Sequence, residues 1–81
     1  MAWVYLLRGT TGRYYIGATE DLGARVLRHN SGLVWSSKRL GLPLELVASR
    51  EYPSMAEALR EERRLKRWKN PRRVNEHLAS G

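Results

Sequence analysis

No cysteine occurs in this 81-residue sequence, and in a chain this short that absence restricts the fold more than any other feature. A chain of this size buries only a little over half of the surface that its unfolded form exposes. Small domains often make up the shortfall with disulfides or a thiolate-bound zinc. Both are excluded here, as is any thiol nucleophile. The core has to come from aliphatic side chains with three Trp and four Tyr, and there is no Phe. No repeat, linker or low-complexity tract divides the sequence, so a single domain over residues 1–81 is expected.

The order of apolar runs and turn residues gives the elements. Trp3–Arg8 has strand composition, Gly9-Thr10-Thr11-Gly12 is a turn, and Arg13-Tyr14-Tyr15-Ile16-Gly17 resumes the strand as a β-hairpin. A left-handed Gly12 would make a three-residue turn with a bulge. An odd loop of that kind puts Tyr5 and Tyr15 on one face of the hairpin. Asp21 is suited to cap a helix from Leu22 to about Asn30, with Gly32 as its stop signal. Residues 31–43 contain Ser, Gly and Pro and read as an exposed loop carrying Trp35, Lys38 and Arg39. Leu44–Tyr52 has the pattern of a third strand. Ser54 and Glu57 form a capping box that opens a helix running through Trp68, and Asn70-Pro71 starts a short terminal helix. The order β-β-α-β-α-α predicts an α+β sandwich, with a three-stranded, mostly antiparallel sheet flanked by helices.

Charge narrows the partners. The formal net charge is +7 and the pI is near 10.6, a field that attracts polyanions. Residues 60–73 hold eight of the bases, Arg60, Arg63, Arg64, Lys66, Arg67, Lys69, Arg72 and Arg73, against Glu61 and Glu62. In isolation such a run is equally well a solvated helix face. Arginine supplies twelve of the fifteen cations, and its planar fork suits phosphate better than an ammonium does. Nucleic acid is therefore expected over an anionic membrane, because no strong moment with exposed large apolar residues accompanies the charge. The candidate contacts are Arg63, Lys66, Arg67, Lys69, Arg72 and Arg73, with Trp35, Lys38 and Arg39 from the 31–43 segment offering stacking and further cations. The apolar opening Met1–Leu7 is too short for a signal peptide or for a spanning helix of about 20 residues. A soluble, cytoplasmic protein without a membrane partner is expected.

Two places break the ordinary pattern. At 100° per residue, Met55, Ala58, Leu59 and Leu65 define an apolar stripe, and Glu62 falls near its centre, while Glu61 lies toward the edge. A carboxylate so placed is costly unless it is hydrogen-bonded, paired or bound to a metal. A salt bridge to Arg25 or Lys66 is the structural explanation, and an Mg²⁺ completed by waters and substrate phosphate is the functional one. In the first helix Arg25 and His29 lie four residues apart and share a face. That spacing is common on solvated helices, and it gains meaning beside a tyrosine face and a buried carboxylate.

Val4-Tyr5-Leu6, Tyr15-Ile16-Gly17, Arg25, His29-Asn30 and Ala58-Leu59-Arg60-Glu61-Glu62 together resemble the GIY-YIG endonuclease domain. The resemblance runs from about residue 3 to residue 68 and is greatest to the bacterial single-domain members. It extends to the structure-specific nuclease branch, where a Pro-Ser step precedes an Ala-Leu-x-x-Glu helix, and so implies a setting such as DNA repair. Tyr15-Ile16-Gly17 followed by Thr19, Leu22, Arg25, His29, Asn30 and Gly32 is its most specific part. The chain departs from the pattern at Trp3, where the name-giving glycine stands. It departs again at Ser36-Ser37-Lys38, where single-domain members tend to carry Tyr-Thr.

What the resemblance implies is a metal-dependent endonuclease hydrolysing phosphodiesters, with DNA favoured over RNA. Tyr5 would act as, or hold, the general base for an attacking water, and Tyr15 would position water or phosphate. Arg25 would stabilise charge on the phosphate, and His29 would assist Tyr5 or the phosphate. Glu62 would ligate one Mg²⁺ or Mn²⁺ that polarises the scissile phosphate. Gly17 would permit close packing, with Thr19 and Asn30 as structural members of the site. A free tyrosine ionises near pH 10, so Tyr5 needs a neighbour such as Arg25 or His29 to lower its pKa. A monomer is expected, with a dimer as the alternative. The rival function is a nucleic-acid binding module without catalysis. An accessory protein docking through its basic helix is the third reading.

Overall fold

Two glycines at the ends of a four-residue polar step let the first apolar run fold back on itself. The computed structural model describes residues 1–32 and 35–80, with the backbone alone for residues 35–37. In it β1 (Ala2–Arg8) pairs antiparallel with β2 (Tyr14–Thr19). Gly9 N donates to Arg13 O at 2.9 Å and Gly12 N donates to Gly9 O at 3.0 Å. Gly12 sits at φ +85°, a conformation that costs an L side chain about 1–2 kcal/mol and glycine almost nothing. The expected three-residue turn is present, and it sets the register Tyr5 opposite Gly17 and Leu7 opposite Tyr15.

After β2 come α1 (Leu22–Asn30) and α2 (Trp35–Leu40), and then β3 (Glu45–Tyr52). β3 pairs antiparallel with the other side of β1, so the sheet order is β2-β1-β3. The chain closes with α3 (Met55–Trp68) and α4 (Pro71–Ala79). Caps stand where the sequence places them. Asp21 accepts from Ala24 N at 3.1 Å, Ser54 from Glu57 N at 3.2 Å and Asn70 from Arg73 N at 3.2 Å, each contributing about 1 kcal/mol.

Strand alternation divides the core in two. Ala2, Val4 and Leu6 point to one face of the sheet, where they meet Ala18 and Ala48 and, from α3 and α4, Ala58, Leu65, Val74 and Leu78. Tyr5 and Leu7 point to the other, where they pack with Leu44 against Leu22 and Val26 of α1 and against Leu40 and Leu42. The result is helices, sheet, helices in three layers, the α+β arrangement expected, with Tyr5 beneath the first helical layer.

Residues 31–43 are not a continuous loop. Trp35–Leu40 form the helix α2, residues 33 and 34 lie outside the described residues, and so does the side chain of Trp35. The hairpin tip holds the end of this helix: Thr10 N donates to Gly41 O at 2.9 Å and Thr11 Oγ1 to Leu40 O at 2.7 Å. Asn30 grips the following segment, its amide donating to Leu44 O at 3.1 Å and accepting from Leu44 N at 2.6 Å. Among the described residues no helix is long and apolar enough to cross a membrane.

Candidate active site

The hairpin register brings three rings together. Tyr5 is fully buried, and its hydroxyl lies 3.1 Å from Nε2 of His29, itself 3 % exposed. Tyr15 packs against His29 with centroids 4.9 Å apart and against Tyr5 at 6.2 Å. The space for this contact comes from Gly17, directly opposite Tyr5 in the register. A Cβ at residue 17 would overlap the Tyr5 hydroxyl and stand 2.5 Å from its Cζ. Thr19, two residues on and buried, accepts from Asp21 N at 3.1 Å and so links β2 to the cap of α1. Asp21 starts the helix that delivers Arg25 and His29.

Electrostatics fix the protonation of the pair. Burial, above all, pushes the Tyr5 hydroxyl from its ordinary 10.0 up to about 12, and the charges of Tyr15 and Glu62 add to the rise while Arg25 opposes it. Burial also holds His29 below its ordinary 6.5, assisted by the positive charges of Arg25 and Arg28. The expectation that a neighbour lowers the Tyr5 pKa is therefore overturned: removal from water outweighs Arg25. At neutral pH the pair is a phenol beside an uncharged imidazole, and the tautomer with Nε2 unprotonated can accept the phenol's proton.

Glu62 is placed differently from the stripe argument. Leu59 is 36 % exposed and leaves the stripe. The buried line of α3 runs through Ala58 and Leu65, where the small Ala58 lets the helix approach the sheet. Glu61 and Glu62 straddle that line, with side chains 17 % and 16 % exposed. Glu62 bonds Lys66 Nζ at 2.8 Å, one of the two ion-pair partners considered for it, and its charge acts on Tyr5. Glu61, which needed no explanation from sequence, is as buried as Glu62 but turned toward α4. It accepts from Arg64 Nε at 2.6 Å and lies 3.8 Å from His77. Adjacent carboxylates thus serve different flanks, a distinction that periodicity alone does not resolve.

The remaining candidates are scattered along the surface. Lys38 and Arg39 are exposed on α2, and Arg63, Arg67 and Lys69 are exposed on α3 and at its end. Arg73 instead stacks over Trp68, its Cζ 4.7 Å from the ring centroid, with Arg64 on the same ring at 5.2 Å. Arg72 lies 3.7 Å from Glu76. Two residues that sequence reasoning missed act at the site: Arg28 through its charge on His29, and Leu44 through the Asn30 grip. Leu44 carries no sequence signal, because its role depends on a contact 14 residues away.

A divalent cation fits this donor set only in one way. Among the described residues no three His, Asp or Glu side chains converge as a metal cluster. Of the two half-buried carboxylates on α3, Glu62 is the one whose charge acts on Tyr5, and it supplies a hard oxygen ligand there. Mg²⁺ accepts one carboxylate with waters and phosphate as its other ligands.

The sequence matches the family model of the GIY-YIG catalytic domain over residues 1–79. The chain belongs to the GIY-YIG family. A UPF0213 protein of Streptococcus pneumoniae serotype 4 is 39 % identical over 72 residues, covering 89 % of this chain and 73 % of that protein. UPF0213 protein SERP0126 of Staphylococcus epidermidis is 33 % identical over 66 residues, 82 % of this chain and 80 % of its own length. UPF0213 protein BH0048 of Halalkalibacterium halodurans is 37 % identical over 78 residues, 96 % and 81 % of the two chains. No solved structure matches the chain. GIY-YIG domains are nuclease domains that act on nucleic acid, generally with a divalent metal.

Proposed function

We propose that this GIY-YIG chain is an endonuclease that hydrolyses phosphodiester bonds, DNA in the first instance, with one divalent cation held by Glu62. The buried 3.1 Å contact between the Tyr5 hydroxyl and Nε2 of His29 carries this reading. As Tyr5 Oη takes a proton from the attacking water, its own proton passes to the neutral imidazole, so no phenolate need exist beforehand. Arg25, which shares a shallow groove with Thr19, Asp21, Ala24 and Arg28, offers its fork to the phosphate as charge builds on the equatorial oxygens. Tyr15 orients the phosphate or the water from beside His29. Bound Mg²⁺ or Mn²⁺ would polarise the phosphate and offset charge on the leaving oxygen. All five side chains come from one chain, so a monomer suffices for one cut.

The test is incubation of labelled single-stranded, duplex and branched DNA, and matching RNA, with wild type and Glu62→Gln. Cleavage with Mg²⁺ or Mn²⁺ that EDTA abolishes, and that Glu62→Gln slows about a hundredfold or more, is the expected result. Cleavage indifferent to EDTA or to Glu62→Gln removes the metal role. The Glu62–Lys66 ion pair also suits a binding module with no chemistry, and salt-sensitive binding without cleavage of any substrate would select that reading.

A further inference from the structure

On the face opposite Tyr5, a groove of about 340 Å³ opens between β2 and the junction of α3 and α4. Its floor is apolar, with Leu6, Ile16, Leu65, Pro71 and Val74, and Tyr14 stands at its wall, 37 % exposed at the sheet edge. Lys66 and Lys69 line it as well, and Tyr15 continues it around the edge strand toward the three-ring cluster. Lys66 belongs to both places, since its ammonium meets Glu62 at 2.8 Å. The carboxylate of this i, i+4 pair is largely covered, but the Lys66 side chain is 52 % exposed, so its ammonium is open to a phosphate from the solvent side.

Lys69 carries a second signal. It caps α3 at φ +50°, ψ +30°, and is the one non-glycine with positive φ among the described residues. Glycine is the residue favoured where a helix ends in that conformation. Lys69 holds that conformation at a backbone cost, and it lines the groove.

We propose that this groove is a subsite for one unstacked nucleotide next to the scissile phosphate, its base against the Tyr14 ring and the apolar floor and its phosphate on Lys66 and Lys69. An aromatic wall gives stacking that any base can use, and the cations match the backbone charge. The subsite rests on the nucleic-acid reading above for its ligand, and it adds that the bound strand turns around the β2 edge with one base out of its stack.

The experiment is an abasic scan. A single-stranded DNA is prepared as a set in which each nucleotide in turn lacks its base, and binding is measured by fluorescence anisotropy in EDTA at fixed ionic strength. For wild type, one position of the scan weakens binding about fivefold or more. Tyr14→Ala binds the intact strand as weakly as wild type binds that abasic strand and no longer senses the position, whereas Tyr14→Phe behaves as wild type. Lys69→Gly weakens binding while its Tm stays level or rises, because the left-handed strain is relieved. A flat scan for wild type, or a Tyr14→Ala scan with the wild-type profile, overturns the subsite. The same strands are then assayed for cleavage with Mg²⁺. Cleavage with a flat binding scan removes the subsite and leaves the nuclease reading. A position-specific scan, with no cleavage of these strands or of the duplex, branched and RNA substrates named above, removes the nuclease reading and leaves the subsite.

Discussion

Gly17 is the residue on which the arrangement turns, because it alone leaves room for the Tyr5 hydroxyl under His29. Gly17→Ala is expected to push the Tyr5 ring aside and lower the single-turnover rate about a hundredfold, the effect of a misplacement near 1 Å. Circular dichroism should show the strands intact. Protonation gives a second prediction at this scale. Tyr5 has its pKa raised to about 12, so its contribution to stability is complete below pH 10 and is lost as pH rises through 12. His29 is shifted the other way, so its contribution is present above pH 6.5 and is lost as pH falls through the lowered value. Urea melts from pH 5 to 11 should show stability falling at both ends, and His29→Gln should flatten the acid end only. Of this site the sequence shows the residue types and the shared tyrosine face, because alternation and helix period are local rules. The Tyr5–His29 bond joins positions 24 apart, and its protonation depends on burial that only packing creates.

Elements show the same division. The hairpin is legible from Gly9 and Gly12, the caps from Asp21, Ser54 and Asn70, and the extent of α3 from its capping box. α2 is not, since six residues are too few to display a period or to be stable alone. Its end is held from outside by Thr10 and Thr11, and its exit by Asn30. The Asn30 amide is predicted to be worth about 1–3 kcal/mol, because each partner on Leu44 is left unsatisfied without it. Asn30→Asp tests the claim more sharply than Asn30→Ala: the carboxylate still accepts from Leu44 N but cannot donate to Leu44 O and repels it. Chemical denaturation should rank the proteins wild type, then Asn30→Ala, then Asn30→Asp. Equal stability of all three would contradict the grip. The two carboxylates of α3 mark the limit of helical pattern, which finds that an acid sits on the buried side but not which of Glu61 and Glu62 acts on Tyr5.

At the scale of the whole molecule, a net charge of +7 predicts binding that weakens steeply with salt. Removing one cation that neutralises a phosphate should reduce the slope of log K against log salt by about 0.7 to 0.9. Arg67→Ala and Lys69→Gly are expected to do so in anisotropy titrations, whereas Arg73→Ala should instead cost stability, because that guanidinium is stacked on Trp68. Under the proposed mechanism the sheet divides the labour, with Tyr5 and His29 handling the proton on the α1 side, the groove on the α3–α4 side, and the Glu62–Lys66 pair on α3 linking the two. Whether the centre of this arrangement is the Tyr5–His29 pair is settled most directly by the pH dependence of single-turnover cleavage in Mg²⁺, wild type beside Tyr5→Phe. The wild-type rate should hold through pH 6.5 and fall only at lower pH, as His29 takes up a proton, and the Tyr5→Phe rate should be lower by about a hundredfold or more. A Tyr5→Phe protein that cuts as fast as wild type with the same pH profile would contradict a proton relay through this pair.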